Sequence, residues 1–70
     1  MDTHRNILPE TGFLRISQVL QFIPFSRSTL WLRVREGTFP SPVKFGLRMT
    51  GWRSEAIRDF IENPEKYKKS

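Results

Sequence analysis

No cysteine occurs in this chain, and its only histidine, His4, stands near the N-terminus. The first absence excludes disulfides and thiolate metal sites; the second removes the converging ligands a zinc centre needs. Apolar runs reach only three or four residues, whereas a helix crossing a bilayer takes about twenty. The opening stretch MDTHRNILPE has no basic segment followed by an apolar one, so no secretory leader is expected and a cytoplasmic location is. A glycine-rich phosphate loop, a histidine beside a nucleophile and a converging carboxylate pair are all missing from the pattern. An enzyme is therefore not expected, nor a cofactor, a metal or a small-molecule substrate. Seventy residues make one domain whose core leaves little space for a substrate cleft.

What the chain does have is positive charge, unevenly placed. Its 12 basic and 7 acidic residues give a formal charge of +5. Six of the basic residues (Arg27, Arg33, Arg35, Lys44, Arg48 and Arg53) fall between Ser26 and Arg53, where Glu36 alone opposes them. Outside that segment six basic and six acidic residues balance. All of the excess therefore sits mid-chain. A local field of this sign attracts a polyanion, and neutralising phosphates releases counterions. Double-stranded DNA is the expected partner, with the protein at the nucleoid.

The element pattern is mainly helical with one small β-hairpin. Residues 1–12 read as a flexible lead, broken by Pro9 and Gly12; Phe13-Leu14 is an extended piece pinning it to the core. A first helix is predicted over Ser17 to Phe22, with Ser17 as cap and Ile16, Val19, Leu20 and Ile23 on one face. Pro24 stops it. A second helix follows at once: Ser26 caps its start, RSTLWLRVRE forms its body, and Gly37 supplies a left-handed end ahead of Pro40 and Pro42. Two helices so close match a helix-turn-helix. Val43-Lys44-Phe45 and Met49-Thr50-Gly51-Trp52 then read as a two-stranded hairpin turning at Gly46, with Val43, Phe45 and Trp52 giving apolar contacts on one side. A hairpin in this place is a wing. A third helix is capped by Ser54, carries Glu55 in its first turn, buries Ile57, Phe60 and Ile61, and ends at Asn63-Pro64. The domain thus covers residues 13–63, and residues 64–70 form a polar, mobile tail. Its lysines, Lys66, Lys68 and Lys69, are balanced by Glu62 and Glu65. Glu55, Asp59 and Glu62 read as a solvated acidic face.

The second helix decides the functional reading. At 100° per residue, Leu30 and Val34 set its buried direction. Ser28, Leu32 and Arg35 then point outward, with Thr29 and Glu36 beside them, Arg27 and Trp31 along one edge and Arg33 along the other. A hydroxyl, a guanidinium and an apolar group on one face suit base edges in a major groove: the first two for hydrogen bonds, the third for a thymine methyl. Ser28 and Thr29 lie in the first turn, where hydroxyls either bind phosphate or complete the cap. Trp31 reads as a partly buried residue that also offers its indole N–H to a phosphate. Lys44, Arg48 and Arg53 are hairpin cations for the DNA backbone or an adjacent minor groove. Trp52 is assigned to the core, and the six phenylalanines to the core or to staple contacts rather than to base stacking.

The same residues resemble the AlpA-like phage transcriptional regulators, within the wider group of MerR-like and excisionase-like winged helix-turn-helix proteins. The similarity runs over about residues 8 to 61. It rests on Phe-Ser-Arg-Ser-Thr-Leu-Trp at 25–31, Gly-Thr-Phe-Pro at 37–40, Pro-Val-Lys-Phe-Gly at 42–46 and Gly-Trp-Arg at 51–53. The resemblance implies three helices and a two-stranded wing. It also implies a prophage or mobile-element regulator acting near an integrase or excision gene, with Arg27, Ser28 and Thr29 opening the recognition helix and Lys44 and Arg48 in the wing. Leu47 stands where the family often carries a proline, which bears on the wing's rigidity. An excisionase-type architectural factor is the alternative within this class; a protein-interaction adaptor using Trp31 and Leu32 is the alternative outside it. Integrase and RNA polymerase are the expected protein partners. With no dedicated dimerisation helix, a monomer, or weak self-association on tandem sites, is expected.

Overall fold

The structure is a computed structural model that describes residues 7–68. His4, Lys69 and the first six residues of the expected lead lie outside it. Three helices pack on a three-stranded antiparallel sheet, in the order β1 (Phe13–Leu14), α1 (Ile16–Val19), α2 (Arg27–Glu36), β2 (Val43–Lys44), β3 (Thr50–Arg53) and α3 (Ser54–Glu62). A 3₁₀ turn, Pro64–Tyr67, follows.

The sheet corrects the expectation of two strands. Its order is β1-β3-β2. The extended piece Phe13–Leu14 is a full partner, with Phe13 opposite Arg53 and Leu14 opposite Trp52. On the other side Val43 lies opposite Gly51 and Lys44 opposite Thr50. β3 is thus covered on both edges, which removes its unpaired backbone groups from solvent. Gly51 fits the crowding there: a Cβ would stand 3.1 Å from the Phe45 ring and 3.3 Å from the Leu14 carbonyl oxygen.

Both ends of α2 form where the local chemistry places them. The Ser26 hydroxyl accepts from the Thr29 N–H at 3.1 Å, satisfying a donor the helix cannot. Gly37 takes φ 80°, a left-handed conformation that costs glycine nothing. The other two helices start elsewhere than expected. Ser17 is inside α1 rather than its cap; Arg15 stands at the cap, its N–H donating to Gln18 Oε1 at 2.9 Å. α1 is also shorter than Ser17–Phe22, closing through three-residue turns from Gln18 to Gln21 and from Val19 to Phe22. Ser54 is the first residue of α3 and fully buried. Its N–H donates to the Gly12 oxygen and its hydroxyl to the Thr11 oxygen. Arg58 adds bonds to the carbonyls of Pro9 and Glu10, so residues 9–12 are fastened to α3.

The core joins Leu14, Val19, Ile23, Leu30, Phe39, Trp52, Ile57 and Phe60. Trp52 is completely buried, and its indole N–H donates to the Pro40 oxygen at 2.8 Å. Phe39 and Phe60 meet at 4.8 Å, and the Tyr67 ring lies tilted against Phe60 at 5.3 Å. Ile61, expected in the buried stripe, is 45% exposed, because α3 turns only Ile57 and Phe60 inward. Phe13 and Phe45 are likewise outside the core, touching each other edge-on at 4.8 Å. Asp59 does not belong to a solvated acidic face. It accepts from Tyr67 Oη at 2.7 Å, from Lys66 Nζ at 3.0 Å and from Asn63 Nδ2 at 3.0 Å, which ties the 3₁₀ turn of the expected tail to α3. Among the described residues no helix is long and apolar enough to cross a membrane.

Candidate nucleic-acid interface

The outward face of α2 carries the side chains that the helical periodicity assigns to it. Arg27, Ser28, Thr29 and Arg35 are exposed, and Leu32 is 44% exposed beside them. Leu30 on the opposite face is completely buried. Ser28 is unencumbered by the cap, whereas Thr29 belongs to it: its N–H goes to Ser26, and its hydroxyl accepts from the Ser26 hydroxyl at 3.0 Å.

Arg33 leaves the basic surface. Its guanidinium carbon lies 4.9 Å from the centre of the Phe25 ring and 5.8 Å from that of Phe60. Nη2 donates to the Thr38 oxygen at 3.1 Å, and the Arg33 carbonyl receives the Thr38 N–H and hydroxyl. This arginine closes the C-terminal end of α2, where a cation also complements the helix dipole. Five of the six mid-chain cations stay exposed: Arg27, Arg35, Lys44, Arg48 and Arg53.

Those five do not all share one side. Successive residues of a strand point to opposite faces. Trp52 points into the core, so Arg53 points away from it, and its guanidinium rests 5.4 Å from the Phe13 ring. Lys44 lies opposite Thr50, two residues from Trp52, and so shares the Trp52 side of the sheet. Trp31 meets Trp52 at 5.5 Å, which sets the edge of α2 beside that same side. A groove of about 560 Å³ lies between this edge of α2, the start of α1 and the hairpin, and Arg15, Gln18, Trp31, Phe45, Arg48 and Trp52 are among the residues lining it. Among the described residues no acidic side chain lines it. Trp31 is 39% exposed, so its ring both packs and forms the wall.

Arg15 and Gln18 line this groove and were not among the residues singled out from the sequence. Arg15 falls outside the basic segment, and only the β1–β3 pairing carries it next to the hairpin. Arg53, singled out with Lys44 and Arg48, is instead separated from Lys44 by the thickness of the sheet.

No curated protein and no solved structure matches the chain. One protein family does: its model, that of the prophage CP4-57 regulatory protein (AlpA), matches residues 12–65. That span takes in every strand and helix from β1 to α3 and both walls of the groove, so this chain belongs to the AlpA family of phage regulatory proteins.

Proposed function

We propose that the chain is a sequence-specific DNA-binding transcriptional regulator of prophage or mobile-element origin, working as a winged helix-turn-helix. α2 is the recognition helix in the major groove and the β2–β3 hairpin is the wing. The observation that carries this reading is the exposed α2 face, where Ser28, Leu32 and Arg35 stand together with Arg27 at the helix start. Arg35 makes bidentate hydrogen bonds to a guanine edge, Ser28 bonds a neighbouring base or phosphate, and Leu32 packs on a thymine methyl. Lys44 holds a phosphate on the Trp52 side of the sheet, and Arg15 and Arg48, which line one groove, hold others. Arg53 faces outward from the sheet and reaches a phosphate only where the duplex curves round the hairpin. Trp31 sets the spacing between helix and hairpin, and Thr29 holds the helix start.

The AlpA family match supports a regulatory role on DNA, and the formal charge of +5 supports a polyanion as ligand. The test is selection from a random duplex library at near-physiological salt. Enrichment of a defined motif is the expected outcome. Binding without enrichment that vanishes steeply as salt rises would reduce the basic face to an electrostatic anchor. The partner of the exposed α2 face would then be a protein, an integrase or a polymerase subunit.

A further inference from the structure

The most exposed large apolar side chain among the described residues is Leu47, at 104% of its reference area. It stands at the tip of the hairpin between Gly46 and Arg48. A lone exposed leucine is ordinary, but this one crowns a braced, apolar tip. Phe45 and Met49 on either side are 50% and 57% exposed. The Phe45 N–H donates to the Met49 oxygen at 2.7 Å, closing the loop beneath Leu47. The Phe45 ring is held edge-on against Phe13 at 4.8 Å. Charge around the tip has one sign: Lys44 and Arg48 flank it, and no Asp or Glu occurs between Glu36 and Glu55.

An aliphatic group on a closed turn, surrounded by cations, is what insertion into a DNA minor groove requires. The cations hold the phosphates on both sides, and the apolar group replaces the contact that two stacked base pairs give up. We propose that Leu47 is a wedge that enters a base step from the minor groove, unstacks it and kinks the duplex. Pyrimidine–purine steps give way most easily, so the wedge falls on a TA or CA/TG step. This inference rests on the duplex-binding reading above. The charge of the tip selects a polyanion over an apolar protein surface.

The test uses the full chain and a duplex carrying the selected motif, with 2-aminopurine replacing each adenine in turn and dyes at the two ends. On binding, fluorescence at one step is expected to rise several-fold and the ends to approach each other. Leu47→Ala is expected to abolish both effects while weakening binding by less than about tenfold, because the lost contact and the saved unstacking offset each other. Leu47→Met keeps both. Circular dichroism checks that the variants fold. A bend and a fluorescence rise that survive Leu47→Ala would overturn the proposal, as would wild-type binding with no rise at any step. So would a duplex bound unbent by a chain whose Leu47 is needed instead for anionic vesicles or a protein. A chain that binds no duplex at all would overturn the duplex-binding reading itself, and is told apart by the selection experiment.

Discussion

Arg33 and Arg35 stand two residues apart on α2 and do different work. Arg35 is exposed, whereas Arg33 lies over two aromatic rings and donates to the Thr38 carbonyl. Among the described residues its Nε is buried without a partner, so the guanidinium is held there by its stem, its ring contacts and the bond to Thr38. An arginine in such a place stabilises through packing as much as through charge. Arg33→Ala is expected to cost about 2 kcal/mol in urea unfolding and to leave the affinity of the folded protein for DNA unchanged. A folded, stable Arg33→Ala that has lost DNA affinity would return this residue to the basic surface. Both arginines look alike in a charge count. Only the position of Phe25 and Phe60 around the helix end distinguishes them.

At the scale of the elements, α2 is held by its two ends. Ser26→Ala removes the acceptor for the Thr29 N–H and is expected to cost about 1 kcal/mol. Gly37→Ala forces a Cβ into a left-handed residue at φ 80°, with about the same cost, although nothing stands within 4 Å of that Cβ. Thermal unfolding of the two variants checks both. A Gly37→Ala chain as stable as the wild type would mean that the helix end repacks. These ends were legible in the sequence because cap chemistry acts over three or four residues. The starts of α1 and α3 were not, because partners far along the chain set them. Ser54 is taken up by Thr11 and Gly12, some 40 residues away. Arg15 takes the α1 cap directly after β1, which pairs with β3. The extended piece Phe13–Leu14 was legible too, but its pairing with β3, and so the third strand of the sheet, was not. Helical periodicity was enough to put Ser28, Leu32 and Arg35 on the exposed face of α2. Separating Lys44 from Arg53 and adding Arg15 needed the register of the sheet.

For the molecule as a whole, the link between α3 and the 3₁₀ turn makes folding depend on pH at both extremes. Asp59 is held below its ordinary value of 3.8, first by the Tyr67 hydroxyl and then by Lys66 and Asn63. A carboxylate whose folded value is depressed contributes stability above its unfolded value, and that contribution is lost as the pH falls through the folded one. Tyr67 is raised above its ordinary 10.0, chiefly because it donates to Asp59. Its contribution is therefore present below pH 10.0 and lost as the pH rises through its folded value. Tyr67→Phe is expected to be less stable than the wild type near neutrality. The gap should close in acid, below the ordinary carboxylate range, and again in strong alkali. Denaturant melts across pH measure it, and a gap constant with pH would contradict the Asp59–Tyr67 bond.

The central claim is that one exposed helix face reads base sequence while the hairpin cations hold the backbone. The most direct measurement is binding of wild type, Arg35→Ala and Lys44→Ala to the selected duplex and to its full set of single base-pair variants at fixed salt. The account predicts that Arg35→Ala costs about 1–3 kcal/mol and relaxes discrimination at one position, while Lys44→Ala weakens every duplex alike and lowers the salt dependence. If both substitutions weakened all sequences equally, or neither changed binding, the exposed face of α2 would not be the reading surface.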